Sequence, residues 1–252
     1  MKCIVIIILL TFIFTSTLSA EVTYPEFKKL TLIFHKEYDA ELAAKKENFK
    51  VNQTAPGMDP DMWWNMPMIR AAYSSLTENG FKTHLLFLFG AYAKIPGMTI
   101  EGLANTLCHE LGHGLGGAPY KVTTDSYSVS VEGQADYYST KVCLKRILKY
   151  MPPNKNSQTS NGEDGYIDGK CKTYFTSKAD IEMCLRSFGA LESERIFFRI
   201  EENGKETFFD RPDQSIVTEI NTAADFYPEA QCRLDTMVNG ILGIDRPRCW
   251  YP

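Results

Sequence analysis

The stretch Leu107-Cys108-His109-Glu110-Leu111-Gly112-His113 leaves little freedom in how the rest of the chain is arranged. It is an H-E-x-x-H motif. On an α-helix, residues four apart lie on one face, one turn apart, so His109 and His113 can offer two imidazole nitrogens to one metal ion. Zinc takes such nitrogens in a tetrahedral shell. Glu110 stands about 100° round the same turn, within reach of a water on that metal. A carboxylate there can accept the water's proton and deliver it to a leaving group. The bland alternative is a surface helix with two unremarkable histidines. The flanking residues argue against it. Thr99 is a candidate N-cap and Glu101 faces the positive helix end. Leu103, Leu107 and Leu111 recur every four residues as a buried stripe. Gly114-Leu115-Gly116-Gly117 lets the chain turn away.

A second helix is predicted from about Ser128 to Tyr150, carrying Glu132-Gly133-Gln134-Ala135-Asp136. Glu132 and Asp136 are again four apart. Alone, such a pair reads as a solvated acidic face. Nineteen residues after His113, it has the spacing that a third metal ligand and a supporting carboxylate need. Glu132 would complete three protein ligands and leave one position for water. Asp136 could accept the other ring N–H of His109 and fix its tautomer.

Elsewhere, Pro25 to about Asn48 reads as a packing helix, with Pro25 at a first helical position and a run of strong helix formers at Ala40 to Glu47. His35 lies on it. Asn52-Gln53-Thr54 fits a glycosylation sequon. Trp63 to Ser74 and Phe81 to Phe89 read as two antiparallel strands around the Asn79-Gly80 turn. His84 is then a sheet residue. The second strand leads into Gly90, Ala91, Tyr92 and Ala93, expected at a sheet edge where a peptide substrate binds through its backbone. Met151 to Lys170 reads as a polar loop; Asn161 to Gly165 does not match a calcium loop. Further helices are expected from Ala179 to about Ile200 and from Gln231 to Leu242. No internal repeat and no clear linker is visible. The expectation is one α+β domain over 21–252, mainly helical, with a small antiparallel or mixed sheet packed on the metal-binding helix.

Residues 1–20 read as a signal peptide: Lys2, an apolar run from Ile4 to Phe14 broken by Thr11, then Leu18-Ser19-Ala20. The run is short for a membrane span, which needs about 20 apolar residues, and no later segment is long and apolar enough. Export to a periplasm or outside the cell is expected, with no stable membrane insertion after cleavage; an uncleaved anchor is the alternative. Cleavage removes Cys3 and leaves Cys108, Cys143, Cys171, Cys184, Cys232 and Cys249, an even set that suggests disulfides. Cys171–Cys184 closes the shortest loop and is the pairing expected first. Cys108 alternatively reads as a buried free thiol. With 27 basic against 31 acidic residues, nothing favours nucleic acid or an anionic membrane as partner.

Three features meet in one chain: His109-Glu110-x-x-His113, Glu132-x-x-x-Asp136 and Tyr227-Pro228-x-x-x-x-Arg233. Together they resemble the gluzincin zinc metallopeptidases, most closely the HtpX and CAAX-prenyl-protease type. Thr99 to Asp136 carries the resemblance, and Tyr227 to Leu234 follows it loosely. It implies a zincin-like fold and a zinc endopeptidase acting on a peptide or protein. By the same resemblance His109, His113 and Glu132 bind one zinc ion, Glu110 is the general base and Asp136 supports a ligand. Arg233 pairs with carboxylates or helps hold the transition state. Tyr227 stands where that family usually has histidine, and its phenol can donate a hydrogen bond to a developing oxyanion. The mature chain lacks the membrane helices of many such enzymes. The rival expectations are a zinc-stabilised binding or chaperone-like module and a cell-wall amidase.

Overall fold

The computed structural model describes residues 22–122, 128–153 and 162–252. The expected signal peptide, with Lys2 and Cys3, and the part of the expected polar loop at 154–161 lie outside the described residues. The architecture is α+β. The first helix, α1 (Tyr24–Ala44), opens with a capping box: Thr23 Oγ1 accepts from Glu26 N–H, and the Glu26 carboxylate accepts from Thr23 N–H at 2.8 Å. Its buried stripe is Phe27, Leu30, Phe34, Tyr38 and Leu42. The helix stops short of the expected Asn48, because Lys46 adopts a left-handed φ of 59°. Glu47–Val51 instead forms a strand, β1. Helix propensity at Lys45 to Glu47 loses here to strand pairing.

Asn52 does not sit free as a glycan acceptor. Its side-chain amide donates to the Leu88 carbonyl at 2.9 Å and accepts from Leu88 N–H at 2.7 Å. The segment expected to be extended from Trp63 begins with a helical turn, α2 (Met62–Asn65), that buries Trp64 against Tyr24 and Phe27. The hairpin follows as β2 (Ala71–Glu78) and β3 (Phe81–Leu88). Asn79 and Gly80 both take positive φ, 52° and 74°, as a two-residue hairpin turn requires. The strand order is β1-β3-β2, with β1 parallel and β2 antiparallel to β3. The sheet is therefore mixed; β3 is central and β2 is an edge.

Gly90–Ala93 forms a helical turn, α3, not an extended edge. Gly90 packs so close to the Trp64 backbone that a Cβ there would meet its carbonyl oxygen at 1.7 Å. The motif helix, α4 (Ile100–Leu115), is capped by Thr99 Oγ1, which accepts from Gly102 N–H at 3.0 Å. Leu103, Leu107 and Leu111 are fully buried, in line with their spacing. The second motif helix starts at Glu132 rather than Ser128, because Ser130 is bridged to Tyr120 and Val131 is extended. It runs through α5 (Glu132–Tyr138), a π-helical turn (Ser139–Leu144) and α6 (Lys145–Leu148).

The expected polar loop ends early: Asp164–Tyr174 is a helix, α7, anchored by buried Ile167 and Cys171. Two longer helices follow, α8 (Lys178–Glu201) and α9 (Ala230–Leu242), the latter ended by Gly243 at φ 72°. The cysteines pair as Cys108–Cys143, Cys171–Cys184 and Cys232–Cys249. Cys108 is thus no free thiol; it ties α4 to the π-helical turn. The three bonds fit an oxidising compartment. No helix among the described residues is long and apolar enough to cross a membrane.

Candidate metal centre

His109 and His113 project from α4 towards the start of α5, their rings 4.8 Å apart and nearly perpendicular. Gly112, between them, lets the second helix come close. A Cβ at Gly112 would sit 2.9 Å from the Ala135 carbonyl oxygen and 3.0 Å from its Cα. That approach delivers Glu132 to both imidazoles.

The ring tautomers follow from the partners. Nδ1 of His113 lies 2.8 Å from the Ser130 carbonyl, which only accepts, so Nδ1 carries the hydrogen and Nε2 the lone pair. Nδ1 of His109 lies 2.7 Å from Asp136 Oδ1. Asp136 is fully buried, and burial disfavours its charge. The Arg233 guanidinium and the His109 ring outweigh that and hold it below 3.8, so it is a carboxylate. At this ion-pair distance the ring hydrogen belongs on Nδ1, although the two are not aligned as a hydrogen bond. Both Nε2 atoms therefore aim lone pairs at the Glu132 carboxylate, at 3.2 Å from Oε2 for His109 and 3.6 Å from Oε1 for His113.

Acceptors facing acceptors repel unless a cation sits among them. Glu132 Oε2 is buried with no hydrogen-bond donor among the described residues. Ligand atoms about 2.05 Å from a tetrahedral zinc stand about 3.3 Å from one another, close to the 3.2 Å between His109 Nε2 and Glu132 Oε2. The three donor atoms lie within 4.8 Å of one another. His109, His113 and Glu132 can hold a metal ion, and their N, N, O donor set suits zinc. In the metal-free protein a proton fills the gap. Burial pushes His109 down, but Asp136 and Glu132 outweigh it and carry the ring to about 10. His113, whose burial is less well offset, drops to about 4.

Glu110 lies on the wall of the same cleft, 5% exposed. Burial, with Glu132 adding, pushes its carboxyl up to about 7. Its Oε2 has no hydrogen-bond partner among the described residues. Arg233 makes a bidentate pair with Asp136, Nε to Oδ2 at 2.8 Å and Nη2 to Oδ1 at 2.9 Å. Arg233 also lines the cleft, with Nη2 3.9 Å from Glu132 Oε2. Tyr227 is 58% exposed at the cleft mouth, and burial of its hydroxyl with the nearby Glu132 charge raises it to about 12.

No family model, no curated protein and no solved structure matches this chain. The site therefore has to be read from its own atoms.

The cleft has a volume of about 450 Å³. It gathers every metal-site and catalytic candidate, but not all the expected substrate contacts. Gly90 and Ala91 do not line it; Tyr92 does. The sheet element on the cleft is instead the start of β2, Ala71 to Tyr73, preceded by Ile69 and Arg70. The reason is topological, since β3 is flanked by a strand on each side and has no free edge. Two residues, one buried and one partly buried, escape a reading of the sequence. Glu194 accepts from Asn105 Nδ2 at 3.0 Å and from Thr106 Oγ1 at 3.0 Å. It falls in register with buried Ala190, Leu191 and Phe198 on α8, and a charge on a buried helical face is a signal that could have found it. Lys121 donates to Glu132 Oε1 at 2.6 Å. It lies in a loop, where no periodicity exposes it.

Proposed function

We propose that this chain is an exported zinc-dependent endopeptidase of zincin-like fold. The observation that carries the reading is the meeting of two imidazole lone pairs and a carboxylate at one point, with the buried, unpartnered Glu110 carboxyl beside it. Zinc bound there would supply Lewis acidity, acidifying a water and polarising a carbonyl. Glu110 takes the water's proton on its carboxylate. The water oxygen bonds to the carbonyl carbon, and the C=O electron pair moves to oxygen. When the C–N bond breaks, Glu110 returns the proton to the leaving nitrogen. In the metal-free protein burial raises this carboxyl to about 7, which marks it as a group able to take up a proton. The Tyr227 phenol, at the cleft mouth, can donate to the oxyanion. Arg233 acts through Asp136, which sets the His109 tautomer.

The cleft wall supports an extended peptide as the substrate. β2 borders the cleft as an edge strand, so it can add an extended peptide by backbone hydrogen bonds. A non-catalytic binding module has no use for Glu110 as it stands, since a buried carboxyl without partners costs stability. The test is Glu110→Gln, near-isosteric and neutral. Zinc content by mass spectrometry should be unchanged, while cleavage of an unfolded protein substrate should fall at least 100-fold, in keeping with loss of a general base. A Glu110→Gln protein that cleaves at the wild-type rate sinks the reading.

A further inference from the structure

We infer that Lys121 is a further catalytic residue of this cleft, its ammonium stabilising the oxyanion that develops on the substrate carbonyl. The inference rests on the endopeptidase reading above. Arg233, the cation the sequence pointed to, is engaged by Asp136 through two hydrogen bonds. Lys121 is the nearer of two cations on the Glu132 carboxylate, at 2.6 Å against 3.9 Å for Arg233, and lies on the cleft wall with its side chain 11% exposed.

Three contacts give it a fixed address. Its Nζ donates to Glu132 Oε1 at 2.6 Å. An ammonium has three N–H donors, so with one bond made among the described residues two remain for a ligand. The ammonium also lies 5.5 Å over the Tyr227 ring, which brings the two candidate oxyanion donors together. The backbone is pinned as well. Lys121 N–H donates to the Val129 carbonyl at 2.7 Å, and the next residue, Val122, donates to Thr222 at 2.7 Å. The neighbouring Ser130 carbonyl takes the His113 ring hydrogen. One pair of adjoining segments thus fixes both a metal-ligand tautomer and the ammonium.

The sign of the charge decides between a structural and a catalytic role. By holding Oε1, Lys121 leaves the undonated Oε2 to the metal. Yet a positive charge beside a divalent cation opposes metal binding. Its benefit comes when negative charge appears on the substrate, in a site where water is largely excluded and each donor is worth more.

The test compares wild type with Lys121→Met and Lys121→Arg, using calorimetry as well as kinetics. Lys121→Met should bind zinc at least as tightly as wild type. Its kcat should fall about 100- to 1,000-fold, the usual effect of losing one oxyanion donor, with KM little changed. A phosphinic peptide, which carries a tetrahedral anionic phosphorus centre, should lose affinity for the zinc-loaded protein in parallel, and a plain peptide product should not. Lys121→Arg should recover part of both. Weaker zinc binding in Lys121→Met would reassign the residue to holding Glu132. Unchanged phosphinic-peptide affinity would remove it from the chemistry. Wild type that binds zinc and the phosphinic peptide but cleaves nothing would overturn the endopeptidase reading, and the calorimetric comparison would still judge Lys121.

Discussion

Substituting Arg233 by Met should be among the most damaging single changes available to this protein. Asp136 is fully buried and Arg233 is 7% exposed. Their two hydrogen bonds, at 2.8 and 2.9 Å, are the only guanidinium contacts that Asp136 has among the described residues. Met retains much of the volume but leaves the carboxylate facing only the His109 ring. Stranding one member of a buried ion pair costs about 3–5 kcal/mol. A domain of this size has about 5–15 kcal/mol in total. The melting temperature of the metal-free, disulfide-intact protein should therefore fall by about 6–20 °C, at about 2–4 °C per kcal/mol. Asp136→Asn should be similarly harmful, because it strands the arginine. The double variant removes both charges and should cost less than the sum of the singles by about 2 kcal/mol or more. The pair's contribution also has a defined pH window. Asp136 is held below its ordinary 3.8, so its stabilisation is present above 3.8 and is lost as pH falls from there through the folded value. Urea titrations of the four proteins at neutral pH are the assay. A loss under about 1 kcal/mol for either single substitution, or strict additivity in the double, would refute the claim that this pair is a buried, mutually dependent unit.

Two further outcomes probe the metal centre directly. Gly112→Ala places a methyl group against the Ala135 backbone at 2.9 Å, which cannot yield as a side chain would. It should cost about 1–3 kcal/mol as an overpacking change and weaken zinc binding about 10-fold or more by displacing Glu132; wild-type zinc affinity would show that the close helix approach is not needed. Zinc binding at pH 7 should release about one proton or slightly more, because His109, raised to about 10, is charged before the metal arrives. Calorimetry in buffers of different ionisation enthalpy measures this, and release of no proton would contradict the proposed ligand set.

What is legible in the sequence is what repeats with the period of a helix. The Leu103–Leu107–Leu111 stripe and the four-residue spacings of His109–His113 and Glu132–Asp136 each declare a face, and the chain delivers those faces to one another. Helices depart from expectation where tertiary pairing outweighs local preference or where little is buried. Lys45-Lys46-Glu47 is strongly helical in composition, yet Lys46 turns left-handed and Glu47 joins β3 in parallel. The helix at Asp164–Tyr174 is polar because it buries little beyond Ile167 and Cys171, so no apolar stripe announces it. The strand that borders the cleft is hidden for a different reason. Which strand of a sheet is the edge depends on β1, whose partner lies more than thirty residues away. Lys121 and Ser130 act from loop positions, and only their contacts identify them.

The charges of the site argue for a divalent ion in particular. Among the described residues, four carboxyl groups are buried around the inner cleft: Glu110, Glu132, Asp136 and Glu194. Arg233 and the largely buried Lys121 stand against them. With neutral histidines the ionised set carries two surplus negative charges, and a buried charge must be neutralised or matched. The metal-free protein moves towards balance through protons. His109 rises to about 10, Glu110 rises to about 7, and burial also raises Glu194. One dication at the point shared by His109, His113 and Glu132 would cancel the surplus without those protons. A monovalent ion would leave one buried charge uncompensated, and a neutral ligand would leave two. That arithmetic is independent of the motif. It uses burial and charge alone, and it calls for the charge of a dication without choosing the ligands.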